Sequence, residues 1–197
     1  MTERTGFIER NTFETQIKLR FSLDGDGASQ LVTGVPFLTH MLTLFTKHGL
    51  FNLKIDATGD TDVDDHHTTE DIAICLGRAI HQAAGDKKGI NRYGYAIVPM
   101  DESLSEVVID LSDRPYFVFH GSIPAQKVGT FDTELVTEFL DKLATEARMN
   151  LHVTVRYGEN SHHIIESVFK ALGRALDAAT RQNPRIQGVL STKGTLG

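Results

Sequence analysis

The sequence has no tryptophan, a single cysteine (Cys75) and five prolines in 197 residues. One thiol can build neither an internal disulfide framework nor a thiolate zinc cluster, which argues against a secreted cross-linked scaffold and a zinc-finger module. No stretch approaches the ~20 consecutive apolar residues that a membrane-spanning helix needs. Met1–Arg10 is too polar and charged for a secretory signal, so a cytoplasmic enzyme with no membrane partner is the simplest expectation. There is no basic excess either: 20 Lys+Arg stand against 26 Asp+Glu, a net charge of −6, which removes the electrostatic footprint of a nucleic-acid binder. Walker and dinucleotide-type glycine motifs are also missing.

What is present in unusual number is histidine, nine in all, with four in two adjacent pairs. Asp65-His66-His67-Thr68-Thr69-Glu70 is echoed by Ser161-His162-His163-Ile164-Ile165-Glu166. At the same offset Leu76-Gly77-Arg78-Ala79 returns as Leu172-Gly173-Arg174-Ala175. Allowing a two-residue gap, Phe37-Leu38-Thr39-His40-Met41-Leu42 matches Leu135-Val136-Thr137-Glu138-Phe139-Leu140. Three blocks repeated in one order indicate an internal duplication. The expected halves are residues 1–95 and 96–197, joined near Gly94–Pro99 and packed as one compact domain.

Each half reads as strand, helix, strand, helix. Ile17, Leu19, Phe21 and Leu23 alternate within a strand over Gln16–Leu23. Pro36 suits the first turn of a helix, whose stripe is Phe37, Leu38, Met41, Leu42 and Phe45, with Gly49 as its stop. Phe51–Ala57 is a strand, and His66–Ala84 a helix ended by Gly85. The second half repeats this with strands at Val107–Leu111, Tyr116–Phe119 and Leu151–Val155, and helices at Thr133–Ala147 and Ser161 to about Arg181. The fold class is therefore α+β: a duplicated half-domain, each copy an antiparallel sheet with helices packed on one face.

Residues three and four apart share a helix face, so His66 or His67 can converge with Glu70 on one ion, and His162 or His163 with Glu166. Adjacent histidines diverge by about 100° on a helix with ~3.6 residues per turn, so one pair can serve two different ions. His40 is the natural extra ligand from the preceding helix, and Glu138 takes its place in the second half. A lone motif of this kind is often just a water-facing stretch of helix, but core packing gives no reason to repeat it in register. Imidazole and carboxylate donors without thiolate suit manganese, iron or zinc; high coordination with open positions favours Mn²⁺ or Fe²⁺.

The other chemistry-bearing residues carry less. His48 ends a helix, and His81, His120 and His152 have no partner in the other half. The run Asp60, Asp62, Asp64, Asp65 lacks the pattern of a calcium loop and reads as a solvated loop, with Asp65 capping the second helix or supporting a histidine. Cys75 reads as small core filling. Among possible anion ligands, Arg92, Arg114 and Lys170 are scattered, whereas Ser191-Thr192-Lys193-Gly194 combines hydroxyls, an ammonium and backbone N–H groups suited to a phosphate.

With these blocks in hand, the chain resembles the imidazoleglycerol-phosphate dehydratase family along essentially its whole length. The resemblance is carried by Arg10-Asn11-Thr12-Phe13-Glu14-Thr15, Pro36–Leu42, Asp64–Asp71, Gly89-Ile90-Asn91-Arg92-Tyr93-Gly94, Arg114-Pro115-Tyr116, Asn160–Glu166 and Ser191–Gly194. It implies a histidine-biosynthesis lyase that dehydrates a small phosphorylated imidazole substrate. It further implies two Mn²⁺ per active site and a homo-oligomer of 24 subunits with sites between subunits. The implied metal ligands are His40, His66, His67, Glu70, His162, His163 and Glu166. Some members carry histidine where this chain has Glu138, and carboxylate is a competent replacement. By the same resemblance Glu14 is the base, and Arg92, Arg114, Lys170, Ser191, Thr192 and Lys193 hold the phosphate end of the substrate. A dinuclear metallohydrolase and a non-catalytic metal-storage or sensor shell would use similar donors. Phosphate release would mark the first, and reversible metal loading without product the second.

Overall fold

The computed structural model describes residues 4–197, so the first three residues of the polar stretch Met1–Arg10 lie outside it. In the first half, β1 (Thr5–Asn11), β2 (Thr15–Ser22), β3 (Ser29–Val32) and β4 (Asn52–Gly59) form a sheet in the order β1-β2-β4-β3. Helices α1 (Pro36–Gly49) and α2 (His66–Ala84) complete it. In the second half, β5 (Tyr93–Met100), β6 (Ser103–Asp110), β7 (Tyr116–His120) and β10 (Asn150–Tyr157) are ordered β5-β6-β10-β7. They are joined by α3 (Glu134–Glu146) and α4 (Ser161–Thr180), and a short ribbon of β8 (Lys127–Val128) and β9 (Phe131–Asp132) precedes α3.

The duplication extends to topology. Three strands of each sheet run antiparallel, but the fourth pairs in parallel: β3 with β4, and β7 with β10. The sheets are thus mixed where the sequence suggested antiparallel pairing throughout. The reason is connectivity, because α1 lies between β3 and β4, and α3 between β7 and β10, and a strand–helix–strand crossover returns the chain in the same direction.

Burial alternates along β2 and β4, with Ile17, Leu19, Phe21, Leu53, Ile55 and Ala57 inward. α2 lies on β1 and β2, and α4 on β5 and β6; across the halves, α1 packs on α4 and α3 on α2. The helices therefore form the layer between the two sheets, and the apolar residues of both halves make one continuous core.

The repeated glycines explain how close that layer is. A Cβ on Gly77 would stand 2.7 Å from Glu146 Cβ at the end of α3, and one on Gly173 would collide with the Phe45 carbonyl near the end of α1. Both helix pairs cross at a spot where only a hydrogen fits.

The expected join at Gly94–Pro99 lies within β5, a full strand of the second sheet. Its pattern misleads because it is inverted. Gly94 and Ala96 are buried, whereas Tyr93, Tyr95 and Ile97 are exposed. α4 approaches so closely that a Cβ on Gly94 would meet the Ala175 carbonyl, so small residues face the core here.

Candidate metal centre

The helix pairs that interlock the halves also bring the repeated motifs together, and they do so twice. His40 on α1 meets His162 and Glu166 on α4; His66 and Glu70 on α2 meet Glu138 on α3. In each triad the donor atoms lie within 4.8 Å of one another. The triads correspond member for member: His162 with His66, Glu166 with Glu70, and His40 with Glu138. One is two imidazoles and a carboxylate, the other one imidazole and two carboxylates.

In the first triad His40 Nε2 lies 2.8 Å and His162 Nε2 3.3 Å from the same oxygen, Glu166 Oε1. The second oxygen, Oε2, accepts from Lys170 Nζ at 2.8 Å. Burial disfavours ionisation of Glu166, but the hydrogen bonds from Lys170 and His40 outweigh it and hold the carboxyl at about 2, below its ordinary 4.5. In the second triad Lys142 Nζ lies 3.1 Å from both Glu70 Oε1 and Glu138 Oε1. The hydrogen bonds to Glu70 and then Glu138 raise the Lys142 pKa.

His67 and His163 stand outside both triads. Each ring is nearly perpendicular to its neighbour, 82° in both pairs, as divergence around a helix requires. His67 Nδ1 pairs with Asp60 Oδ2 at 2.9 Å, and His163 Nδ1 with Glu102 Oε2 at 2.7 Å. These hydrogen bonds raise both imidazole pKa values, and the bond from His163 holds Glu102 well below the usual carboxylate range. A carboxylate on Nδ1 fixes ring orientation and leaves Nε2 as the outward donor, the arrangement that supports a metal-ligating histidine.

The helix starts that aim these rings are capped differently. On α4, Asn160 Oδ1 accepts from the backbone N–H of His162 (2.9 Å) and His163 (3.4 Å). On α2 the expected cap, Asp65, makes no capping bond; its backbone is already helical (φ −84°, ψ 0°), and Asp64 Oδ1 accepts from His66 N–H instead, at 2.8 Å. Asp60, read from sequence as part of a solvated loop, is the partner of His67.

Glu14 lies on the turn between β1 and β2. Thr12 Oγ1 accepts from the N–H groups of Glu14 (3.1 Å) and Thr15 (2.9 Å), the Thr15 hydroxyl donates to Asp71 on α2, and Arg10 forms an ion pair with the same carboxylate. The turn is thereby pinned to the helix that carries His66 and His67. The Glu14 carboxylate is half exposed, with Oε1 3.9 Å from His67 Nε2.

Five of the six anion-ligand candidates line one concavity of about 870 Å³: Arg92, Arg114, Ser191, Thr192 and Lys193, together with Arg185. Arg92 is buried there in the left-handed region (φ 68°), grips Asp110 with Nε (2.6 Å) and Nη2 (3.0 Å), and donates to the Leu190 carbonyl (2.7 Å). It thus anchors the segment leading into Ser191–Gly194. Lys170 lies apart, on Glu166.

Sequence reasoning missed Lys142, Asp60, Glu102 and Arg185. Lys142 had a signal, since it is four residues beyond Glu138 on one helix face. Arg185 had none beyond its charge.

An imidazoleglycerol-phosphate dehydratase family model matches residues 33–176. The imidazoleglycerol-phosphate dehydratase of Geobacillus thermodenitrificans is 69% identical over 193 residues, 98% of this chain and 99% of that protein. That of Bacillus subtilis is 66% identical over 187 residues, 95% and 96% of the two chains. Crystal structures of imidazoleglycerol-phosphate dehydratases from Staphylococcus aureus (TM-score 0.83, 45% identity, 91% of this chain and 99% of that one) and Pyrococcus furiosus (0.83, 36%, 96% and 100%) share the fold.

Proposed function

Because the chain belongs to the imidazoleglycerol-phosphate dehydratase family, a family of hydro-lyases in histidine biosynthesis, we propose that it converts D-erythro-imidazoleglycerol phosphate to imidazole acetol phosphate with a pair of Mn²⁺ ions. The observation that carries this reading is the pair of matched triads, His40/His162/Glu166 and His66/Glu70/Glu138. Their nitrogen and oxygen donors fit a divalent first-row ion. The ammonium of Lys142 between Glu70 and Glu138 marks the second triad as a place that demands positive charge.

Held by His40, His162 and Glu166 and by His66, Glu70 and Glu138, the ions would supply Lewis acidity to the substrate's imidazole ring. The chain's own residues do the rest. Glu14 takes the carbon-bound proton next to the departing hydroxyl from its pinned turn, and that proton leaves with the hydroxide as water. Loss of water leaves an enol that becomes the ketone. Arg114, Ser191, Thr192 and Lys193 hold the phosphate, with Arg92 fixing their loop; Lys170 contacts the substrate from beside Glu166. Fixed orientation of this kind removes much of the entropic barrier.

His67 and His163 present Nε2 outward without joining a triad, which supports active sites completed by neighbouring subunits. The outer face of the second sheet points the same way, since Tyr95, Val108 and His152 stand in register across β5, β6 and β10, with Tyr95 74% exposed. A cytoplasmic homo-oligomer of 24 subunits is the assembly this reading adopts.

Mixing the purified protein with Mn²⁺ and imidazoleglycerol phosphate tests the proposal. An alkali-detectable ketone without free phosphate is the expected product. Phosphate release would indicate a metallohydrolase, and reversible metal uptake without product a storage shell.

A further inference from the structure

The two triads are matched in their ligands but not in the lysine beside each. In the first, Lys170 bonds to Glu166 Oε2, while both imidazoles meet Oε1. The ammonium sits on the oxygen turned away from the triad, so an ion can take Oε1, His40 and His162 with that bond intact. In the second, Lys142 holds Glu70 Oε1 and Glu138 Oε1 at 3.1 Å each. Glu70 and Glu138 are two of the three ligands, and the ammonium cross-links them.

The duplication does not account for either lysine. By the alignment of the repeats, the position of Lys142 on α3 corresponds to Leu44 on α1, and that of Lys170 on α4 to Ile74 on α2. Each cation is thus an addition to one half. The chemistry supplies a reason for Lys142. Two carboxylates brought together without a cation repel each other, whereas the first triad has a single carboxylate and two imidazoles. The lysine side chain is long and partly exposed, 32%, so it can swing to solvent without disturbing the core.

We propose that Lys142 is a built-in counter-ion of the second triad, which a divalent cation must displace, so that the two triads fill in order, the His40/His162/Glu166 triad first. This rests on the dinuclear reading above and deepens it. Lys142 keeps Glu70 and Glu138 converged in the metal-free protein, at the expense of affinity in the second triad. After displacement its charge stays close to the bound ion and continues to weaken it.

Titration of Mn²⁺ alone into the chelator-stripped full-length protein, followed by the electron-paramagnetic-resonance signal of free Mn²⁺, tests this. The wild type should show two classes of site, one ion per chain in each. Lys142→Met should tighten the weaker class about five- to tenfold, the scale of two part-exposed ion pairs given up, and leave the tighter class unchanged. Lys142→Arg, which keeps the charge, should keep the two classes apart. Lys142→Gln makes the same measurement if the methionine variant does not fold. A weaker class that stays within twofold of wild type, or an equal shift of both classes, overturns the role of Lys142 while leaving the dinuclear site standing. Absence of saturable Mn²⁺ uptake by the wild type overturns both.

Discussion

His40 and Glu138 occupy corresponding places on α1 and α3, each facing the His/Glu pair of the helix packed against it. A helix–helix contact that the fold needs for its core is therefore also the contact that assembles each triad. The glycine pair Gly77 and Gly173 sets how near those helices come, which ties core packing and the convergence of each triad to one piece of geometry.

Glu14→Gln removes the proposed base while leaving every triad ligand in place. Manganese content and substrate affinity should stay near wild type, and kcat should fall by about 10²–10⁴-fold, the range for loss of a general base. Metal analysis with steady-state kinetics checks this. Near-normal kcat would refute the assignment.

Glu166 gives the metal-free protein a defined acid response. Its carboxyl is lowered from 4.5 to about 2 in the fold, so its contribution to stability is complete above about pH 4.5 and is lost as pH falls toward 2. Acid unfolding of metal-free Glu166→Gln should accordingly lack that part of the wild-type pH dependence. The variant should also lose the ion of the first triad. Fluorescence-monitored unfolding at stepped pH measures the first effect and metal analysis the second; parallel stability curves for the two proteins would contradict the proposed coupling.

Gly173→Ala places a methyl group against the Phe45 carbonyl, where backbone must move to admit it. Overpacking of this kind costs about 1–3 kcal/mol. Urea unfolding should show the midpoint lowered with little change in slope, and Gly77→Ala should behave alike if the halves are equivalent in packing as in topology.

Much of this is legible in the sequence. The four helices are, because Leu38, Met41, Leu42 and Phe45 and their counterparts recur at helical spacing; Gly85 caps α2 as expected, whereas α1 runs through Gly49 and Leu50 takes the left-handed cap (φ 56°). The repeat blocks revealed the duplication. β5 was hidden, since Gly94 and Ala96 face the core and the tyrosines face out. β1 was hidden as well, with Glu9, Arg10 and Asn11 closing its pattern. At the site, the ligand types and the divergence of adjacent histidines could be read from helical geometry. Which helix supplies the third ligand depends on α1 choosing α4 and α3 choosing α2, a tertiary choice that periodicity does not encode. Of the carboxylates behind His67 and His163, Asp60 lies only 7 residues upstream in the loop before α2 and Glu102 lies 61 residues away, and neither stands at the three- or four-residue helical spacing from its histidine.

The most direct test is anomalous diffraction at the manganese edge from crystals of the Mn²⁺-loaded protein. Two peaks per chain are expected, one bonded to His40, His162 and Glu166 and the other to His66, Glu70 and Glu138. Manganese bound elsewhere, with both sets of side chains free of metal, would contradict the account.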